Sequence, residues 1–383
     1  MFPESSISHS WGSPPWTIDF SPLPRPLPPD VDIAIIGAGF TGLATAAWLR
    51  LRDPQKSVAV FEVGSIGWGA SGRTGGMVLA ETAAGDLPGL GNVLEGVQDI
   101  FEKLGIECSL ALPGAWEIAR SGGLADSPIS WKDSGTLRVA REVPGGTLDP
   151  GKLVSSLARA ANRLGALILE NHRVAGLRWG NRAELEIAAS GDSGPHGRVS
   201  AEKVLFATNA LSLHLSGLDA GTHPKLTLAA LTAPGAANEL EEIGLAGGKP
   251  FYTVDFPYLW GRIRPDHSIV WGAGLVDAPP DGNLEEVSIG SDEPARMFAR
   301  FEKRVRGLHP ALRSAVFTHH WGGPILFRDD WQPVFDWHPA SRNALVIGAF
   351  AGHGVALSAY LGAWAAEILL GRRELPAWGR MSR

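Results

Sequence analysis

An α/β fold with a parallel sheet is predicted by three features near the start of this 383-residue chain. Val31-Asp-Ile-Ala-Ile-Ile36 is a short apolar, β-branched run of the kind that forms a strand buried on both faces. Gly37-Ala-Gly-Phe-Thr-Gly42 interrupts it, and Leu43–Arg50 has a helical composition. Val58-Ala-Val-Phe61 is a second apolar strand, ending at Glu62. Strand, helix and strand within about 30 residues make a βαβ unit.

The remaining elements follow in order. Residues 1–30 are proline-rich and end Ser21-Pro-Leu-Pro-Arg-Pro-Leu-Pro-Pro29, which disfavours helix and sheet and predicts an extended lead-in. Trp11 and Trp16 suggest that this lead-in packs on the body. Gly64–Gly76 is too rich in glycine for regular structure without a ligand, and residues 91–148 show no clear period. Asp149-Pro150 starts a helix with Leu153, Leu157, Ala160 and Leu164 on one face, and Gly165 stops it. Short strands fill Ala166–Phe206 and lead into Ala207-Thr-Asn-Ala210. Tyr258–Arg264 and Ser268–Gly272 form a hairpin about Pro265-Asp266. Residues 292–308 form an amphipathic helix with Phe298, Phe301, Val305 and Leu308 inward. The longest apolar stretch, Ala344–Leu370, divides into strand, loop and helix because His353, Glu367 and its glycines argue against a membrane span.

Composition narrows the function. Hydrophobic residues at 44% and charged residues at 19% describe a globular chain with a sizeable core. A net charge of −6 offers no basic surface for nucleic acid. The single cysteine, Cys108, excludes an internal disulfide and any cysteine-cluster metal site, and suits a reducing compartment. The first 24 residues carry no Lys or Arg and no long apolar run, so a soluble, cytoplasmic protein is expected. Fourteen tryptophans against three tyrosines predict aromatic walls.

Gly37, Gly39 and Gly42 form a Gly-x-Gly-x-x-Gly string that follows a strand and opens a helix, and Glu62 stands twenty residues beyond Gly42. That context predicts a dinucleotide site. The first glycine permits the turn, the second lets backbone approach a pyrophosphate, and the third lets helix meet strand. Phe40 and Thr41 place free N–H groups at the helix start, and the Glu62 carboxylate suits a ribose diol. NAD or FAD would satisfy this motif. Two further glycine loops, Gly67-Trp-Gly-Ala-Ser-Gly-Arg-Thr-Gly-Gly76 and Gly348-Ala-Phe-Ala-Gly-His-Gly354, favour the longer cofactor, FAD. Arg73 would meet the pyrophosphate or lie near the ring.

These segments resemble FAD-dependent oxidoreductases of the D-amino-acid oxidase, glycine oxidase and sarcosine oxidase superfamily, most of all its γ-glutamylputrescine-oxidase-like branch. The resemblance rests on Asp32–Leu43, Gly67–Gly76, Leu148–Leu153, Ala207–Ala210 and Gly352-His-Gly-Val355. It implies a Rossmann-type FAD-binding domain drawn from residues 31–90, 145–215 and 338–375. An interleaved substrate domain of residues 91–144 and 216–337 would be built on a large antiparallel sheet. By motif match, Gly37, Gly39, Gly42 and Glu62 hold the adenosine diphosphate half and Val174 meets the adenine. Arg73, Thr74, Gly75 and Gly76 lie near the flavin ring, and Gly352, His353, Gly354 and Val355 lie at its pyrimidine edge. With no cysteine after Cys108, the thioether used by the sarcosine oxidases is missing and FAD should be non-covalent. The arginine with which amino-acid oxidases clamp a substrate carboxylate falls within Trp321-Gly-Gly-Pro324, where Gly323 stands instead.

The reaction implied is hydride transfer to flavin N5 from the carbon bearing the nitrogen of a primary or secondary amine, or of an amino-acid derivative held without that arginine, giving an imine, with oxygen restoring the flavin and yielding hydrogen peroxide. A dehydrogenase passing electrons to a quinone or an electron-transfer partner remains open, as does a non-catalytic flavin-binding protein. Trp260, Arg262 and His353 are the candidate site residues. Tyr258, Trp260, Arg262 and Arg264 share one strand face by alternation, offering an aromatic wall and an anion partner. Lys225 is a weaker candidate for assisting oxygen. Trp271 and Trp321 read as core. His319-His320 does not suggest a metal, since neighbours in a strand face opposite ways.

Overall fold

The computed structural model describes residues 10–189 and 195–381. Its first sheet runs Val334–Trp337, Ala344–Gly348, Pro195–Phe206, Asp30–Ile36, Val58–Phe61, Leu167–Leu169. The joins from Ala344–Gly348 to Leu167–Leu169 are all parallel, and Val334–Trp337 is an antiparallel edge. Alternation assigns the faces. Ile33, Ile35, Val58 and Val60 pack under the helices Phe40–Arg52, Pro150–Arg163 and Gly354–Leu369. Ala34, Ile36, Ala59 and Phe61 point the other way, onto the hairpin His172–Arg178/Ala183–Ala189. Burial on both faces explains why these strands read as unbroken apolar runs.

A second sheet runs Phe317–Arg328, Thr222–Thr232, Ile269–Asp277, Trp260–Ile263, Phe251–Thr253, Ala115–Ala119, Thr136–Val143, Trp131–Lys132. It is antiparallel except where Phe251–Thr253 runs parallel to Ala115–Ala119. Trp131, Phe251 and Trp271 form its aromatic centre, with ring centroids 4.9–5.8 Å apart. The helix Asp292–Leu308 closes one face with Phe298, Phe301, Val305 and Leu308, as its spacing predicts. The expected hairpin is present, with Ile263 opposite Ile269 across the turn. Helix Pro150–Arg163 starts where expected, Asp149 accepting the Lys152 N–H at 2.9 Å.

Two segments pack elsewhere than the sequence places them. Val93–Leu104, within the stretch assigned to the substrate side, is a helix capped by Asn92 and stopped by Gly105 at φ 64°. Its apolar stripe of Val97, Ile100, Phe101 and Leu104 buries against the first core, beside Gly354–Leu369. Val334–Trp337 likewise pairs with Ala344–Gly348, because that strand's outer edge is otherwise open.

The lead-in is a strap across the glycine-rich loop that follows the βαβ unit. Trp11 is fully buried, stacks on Trp68 at 5.1 Å and donates to the Leu284 carbonyl at 3.0 Å. Gly12 bridges Trp321, and the Trp16 indole donates to the Gly72 carbonyl at 2.6 Å. Trp11→Ala should therefore lower unfolding free energy by about 3–5 kcal/mol. Denaturant titration with an unchanged slope checks this; a loss below about 1 kcal/mol would mean that the strap is not part of the core.

Candidate cofactor and active site

The first glycine loop behaves as its motif requires. Gly37 sits at φ +104°, and a Cβ at Gly42 would stand 1.9 Å from the Gly37 carbonyl oxygen. Gly39 faces Ser71, whose Oγ accepts the Phe40 N–H at 2.9 Å. The helix that begins at Phe40 has no capping side chain, so its positive end opens on the space lined by Gly37, Gly39, Phe40 and Thr41. Glu62 is buried, accepting the Ala38 N–H at 2.8 Å and the Gly64 N–H at 3.1 Å. Burial raises its pKa above the usual carboxylate value while those two donors pull the other way. A carboxylate accepts more than two hydrogen bonds, so capacity remains for a ligand. Val174 lines the same end, beside an Arg173–Glu285 pair at 3.5 Å.

The second loop lies between the two sheets. A Cβ at Gly75 would stand 2.2 Å from the Trp260 ring, and one at Gly272 would stand 1.9 Å from it. The indole thus fits only because both neighbours lack side chains, and Trp260 forms a wall of the cavity with Thr74 and Gly75. Arg262 corrects the sequence expectation. It is buried beneath this loop, donates to the Gly75 carbonyl and does not reach the cavity. Alternation does put it on the face of Trp260, but that face meets the loop before it meets the open space. Arg264 pairs with Asp266 at 3.4 Å instead. Arg73 lines the cavity, yet its guanidinium donates to the carbonyls of Trp68 at 3.1 Å and Gly12 at 2.7 Å. Burial lowers the pKa of Arg73 and of Arg262 to about 10.

The third loop leads from Ala344–Gly348 into the last helix. Gly352 takes φ +88°, and the helix begins after His353 with no side-chain cap. Gly352, His353, Gly354 and Val355 all line the cavity. The His353 ring nitrogen Nδ1 lies 3.2 Å from the Ala351 carbonyl, and burial lowers its pKa, which keeps the ring neutral at pH 7. Asn209 joins this loop to the first sheet by accepting the Ala349 N–H at 2.9 Å.

All three loops open on one cavity of about 580 Å³. Gly42 and Gly76 lie behind it as packing positions, and Lys225 lies outside it, paired with Asp277. Trp271 and Trp321 are fully buried. His320 pairs with Glu302 at 2.7 Å while the neighbouring His319 is exposed. The sequence reading missed Ser71, Thr208 and Ser358. The hydroxyl oxygens of Thr208 and Ser358 are buried at this cavity with no hydrogen-bond partner. Two orphaned hydroxyls and two uncapped helix starts around a glycine-lined space fit an extended, anionic dinucleotide. Thr208 and Ser71 lay within the segments Ala207–Ala210 and Gly67–Gly76 without being singled out; nothing local marked Ser358.

The sequence profile described as "DAO: FAD dependent oxidoreductase" matches residues 32–368. The chain belongs to that family, and its cofactor is FAD. Cys108, the sole cysteine, is buried in the helix-side core, away from the cavity, with its thiol pKa pushed up to about 12 by burial. Among curated proteins the chain is similar to the probable oxidoreductase OrdL of Rhizobium meliloti (strain 1021), with 24% identity over 89% of this chain and 83% of the relative. It is equally similar to gamma-glutamylputrescine oxidoreductase of Escherichia coli (strain K12), with 24% identity over 90% of this chain and 84% of the relative. Among solved structures, glycine oxidase from Geobacillus kaustophilus superposes with TM-score 0.70 at 20% identity, covering 91% of this chain and 96% of that one. L-proline dehydrogenase from P. horikoshii superposes at 0.68 and 18%, with the same coverage. Among the described residues, no helix is long and apolar enough to cross a membrane.

Glu62→Gln should weaken FAD binding about 10–100-fold, because the amide replaces one charged acceptor oxygen with a donor facing backbone N–H groups. Reconstitution of the apoprotein followed by flavin fluorescence measures this; an unchanged Kd would remove Glu62 from the site.

Proposed function

We propose that this protein oxidises a primary or secondary amine to an imine, with dioxygen as electron acceptor. The observation that carries the reading is a chamber walled by the second sheet that opens directly onto the loops Thr74–Gly75 and Gly352–Val355. In this reading residues 31–90, 145–215 and 338–375 form the FAD-binding domain, extended by the helix Val93–Leu104 and the edge strand Val334–Trp337. The rest of 91–144 and 216–337 forms the substrate domain.

Gly39 and Thr41 would hold the pyrophosphate by backbone N–H groups, while the Gly37 N–H is taken by the Phe61 carbonyl and that of Phe40 by Ser71. Glu62 accepts from the adenosine ribose, and Val174 meets the adenine through its backbone. FAD held there would supply a two-electron acceptor for the hydride, and dioxygen, with a proton from solvent, would carry the pair away as hydrogen peroxide. Water then hydrolyses the imine. The positive end of helix Gly354–Leu369 would stabilise negative charge on a flavin held at this end. Neutral His353 keeps that edge free of a fixed charge, and Trp260 forms the wall that orients the substrate. The chemistry needs the amine unprotonated and needs no side-chain base.

Anaerobic mixing of the holoenzyme with an amine panel tests the reaction. At least one amine should bleach the flavin, and readmitted oxygen should return about one peroxide per amine consumed. Bleaching without peroxide would overturn the oxidase assignment in favour of a dehydrogenase, and no bleaching by any amine would overturn the activity itself.

A further inference from the structure

Resting on that amine-oxidising reading, we propose that the substrate chamber takes an apolar amine that carries no carboxylate. The strand Phe317–Arg328 forms one wall, and its alternate residues Gly323, Ile325 and Phe327 face the cavity. Ile325 reaches the flavin-loop end, its Cδ1 lying 3.4 Å from where a Gly352 Cβ would stand. No cation stands at any of these three positions. Tyr252, Tyr258 and Trp260 form the facing wall.

The arginines near this end are hydrogen-bonded to other partners, and Arg73 alone of them lines the chamber there, tied through Nε and Nη1 to backbone carbonyls. The Arg73 guanidinium is held by the Trp68 and Gly12 carbonyls, and Arg262 is buried under Gly75. Arg173 belongs to the Glu62 end and is paired with Glu285. Two carboxylates stand behind the Tyr252 wall. Tyr252 donates its hydroxyl to Glu81 at 2.6 Å, with Glu117 at 3.2 Å, and the exposed Arg141 offsets only one of these carboxylates. A substrate carboxylate would find no guanidinium at this end with both terminal nitrogens free to clamp it, because Arg73 Nη1 is held by the Gly12 carbonyl, and it would face that field. An amine meets carboxylates behind a phenol, together with the faces of aromatic rings.

The apolar wall also continues to the surface. Phe256 is 69% exposed and lies against Tyr258 with ring centroids 4.3 Å apart and planes tilted by 44°. Trp331, 39% exposed, meets Phe327 edge-on at 5.3 Å, and Val254 is 44% exposed. Large apolar side chains left in solvent beside a cavity mark an apolar ligand path. The carbon skeleton that enters here is therefore aryl or alkyl.

Paired substrates test this on the wild-type holoenzyme. Anaerobic flavin reduction is measured with 2-phenylethylamine against both enantiomers of phenylalanine, and with pentylamine against both enantiomers of norleucine. Each amine should reduce the flavin about a hundredfold more efficiently than its amino acid. A binding readout accompanies it: 2-phenylpropan-2-amine, which has no α-hydrogen, should perturb the flavin spectrum at concentrations where benzoate does not. An amino acid that matches its amine, or benzoate binding as tightly as the blocked amine, would overturn this inference and leave amine oxidation standing. Equal efficiency with 1,4-diaminobutane and pentylamine would overturn its apolar part. Failure of every amine and amino acid to reduce the flavin would overturn the parent reading together with this one.

Discussion

The helices that begin at Phe40 and Gly354 have no N-cap side-chain bond, and both helix starts border one cavity. An uncapped helix start costs about 1 kcal/mol relative to a Ser, Thr, Asp or Asn cap. The cost is offset when a ligand's negative charge supplies the missing acceptors. Much of the surrounding architecture serves to hold those two ends open. The turn at Gly37 and the contact at Gly42 set the first helix tight against its strand, where any side chain at 42 would collide with the Gly37 carbonyl. Asn209 ties the third loop to the end of the strand Pro195–Phe206.

The same demand organises the boundary between the two sheets. Trp260 fits between Gly75 and Gly272 only because neither carries a side chain. Arg262 supports the Gly75 carbonyl from below, and Trp321 supports the Arg73 carbonyl at 2.8 Å. The strap that carries Trp11 and Gly12 occupies the Arg73 guanidinium from the outer side. Backbone atoms of the middle loop are thus held from three directions, while its inner face stays free for a ligand. That arrangement ties Arg262 and the Nε and Nη1 of Arg73 to backbone carbonyls, which leaves no complete guanidinium fork facing the chamber from this loop.

The sequence was legible where structure is local. The βαβ unit, the hairpin about Pro265-Asp266, the helix 292–308 and the strand–loop–helix at 344–370 all follow from period, caps and turn residues. The helix Val93–Leu104 carried equally local signals, in Asn92 and Gly105, but its glycine-rich surroundings concealed the period. At the site, the glycines and Glu62 were legible because their spacing is itself the constraint. Arg262 was not, because alternation gives a side chain its face and not the depth at which another segment intercepts it. Ser71, Thr208 and Ser358 converge from three separate segments, a proximity that only the closed fold creates.

Acid precipitation of the purified protein, with absorption spectra of pellet and supernatant, tests most directly the claim that three backbone loops hold one FAD without a covalent bond. The account predicts a yellow protein whose flavin passes wholly into the supernatant, about one FAD per chain. Flavin retained in the pellet would contradict non-covalent binding. A colourless protein that also fails to take up added FAD would contradict the cofactor site itself.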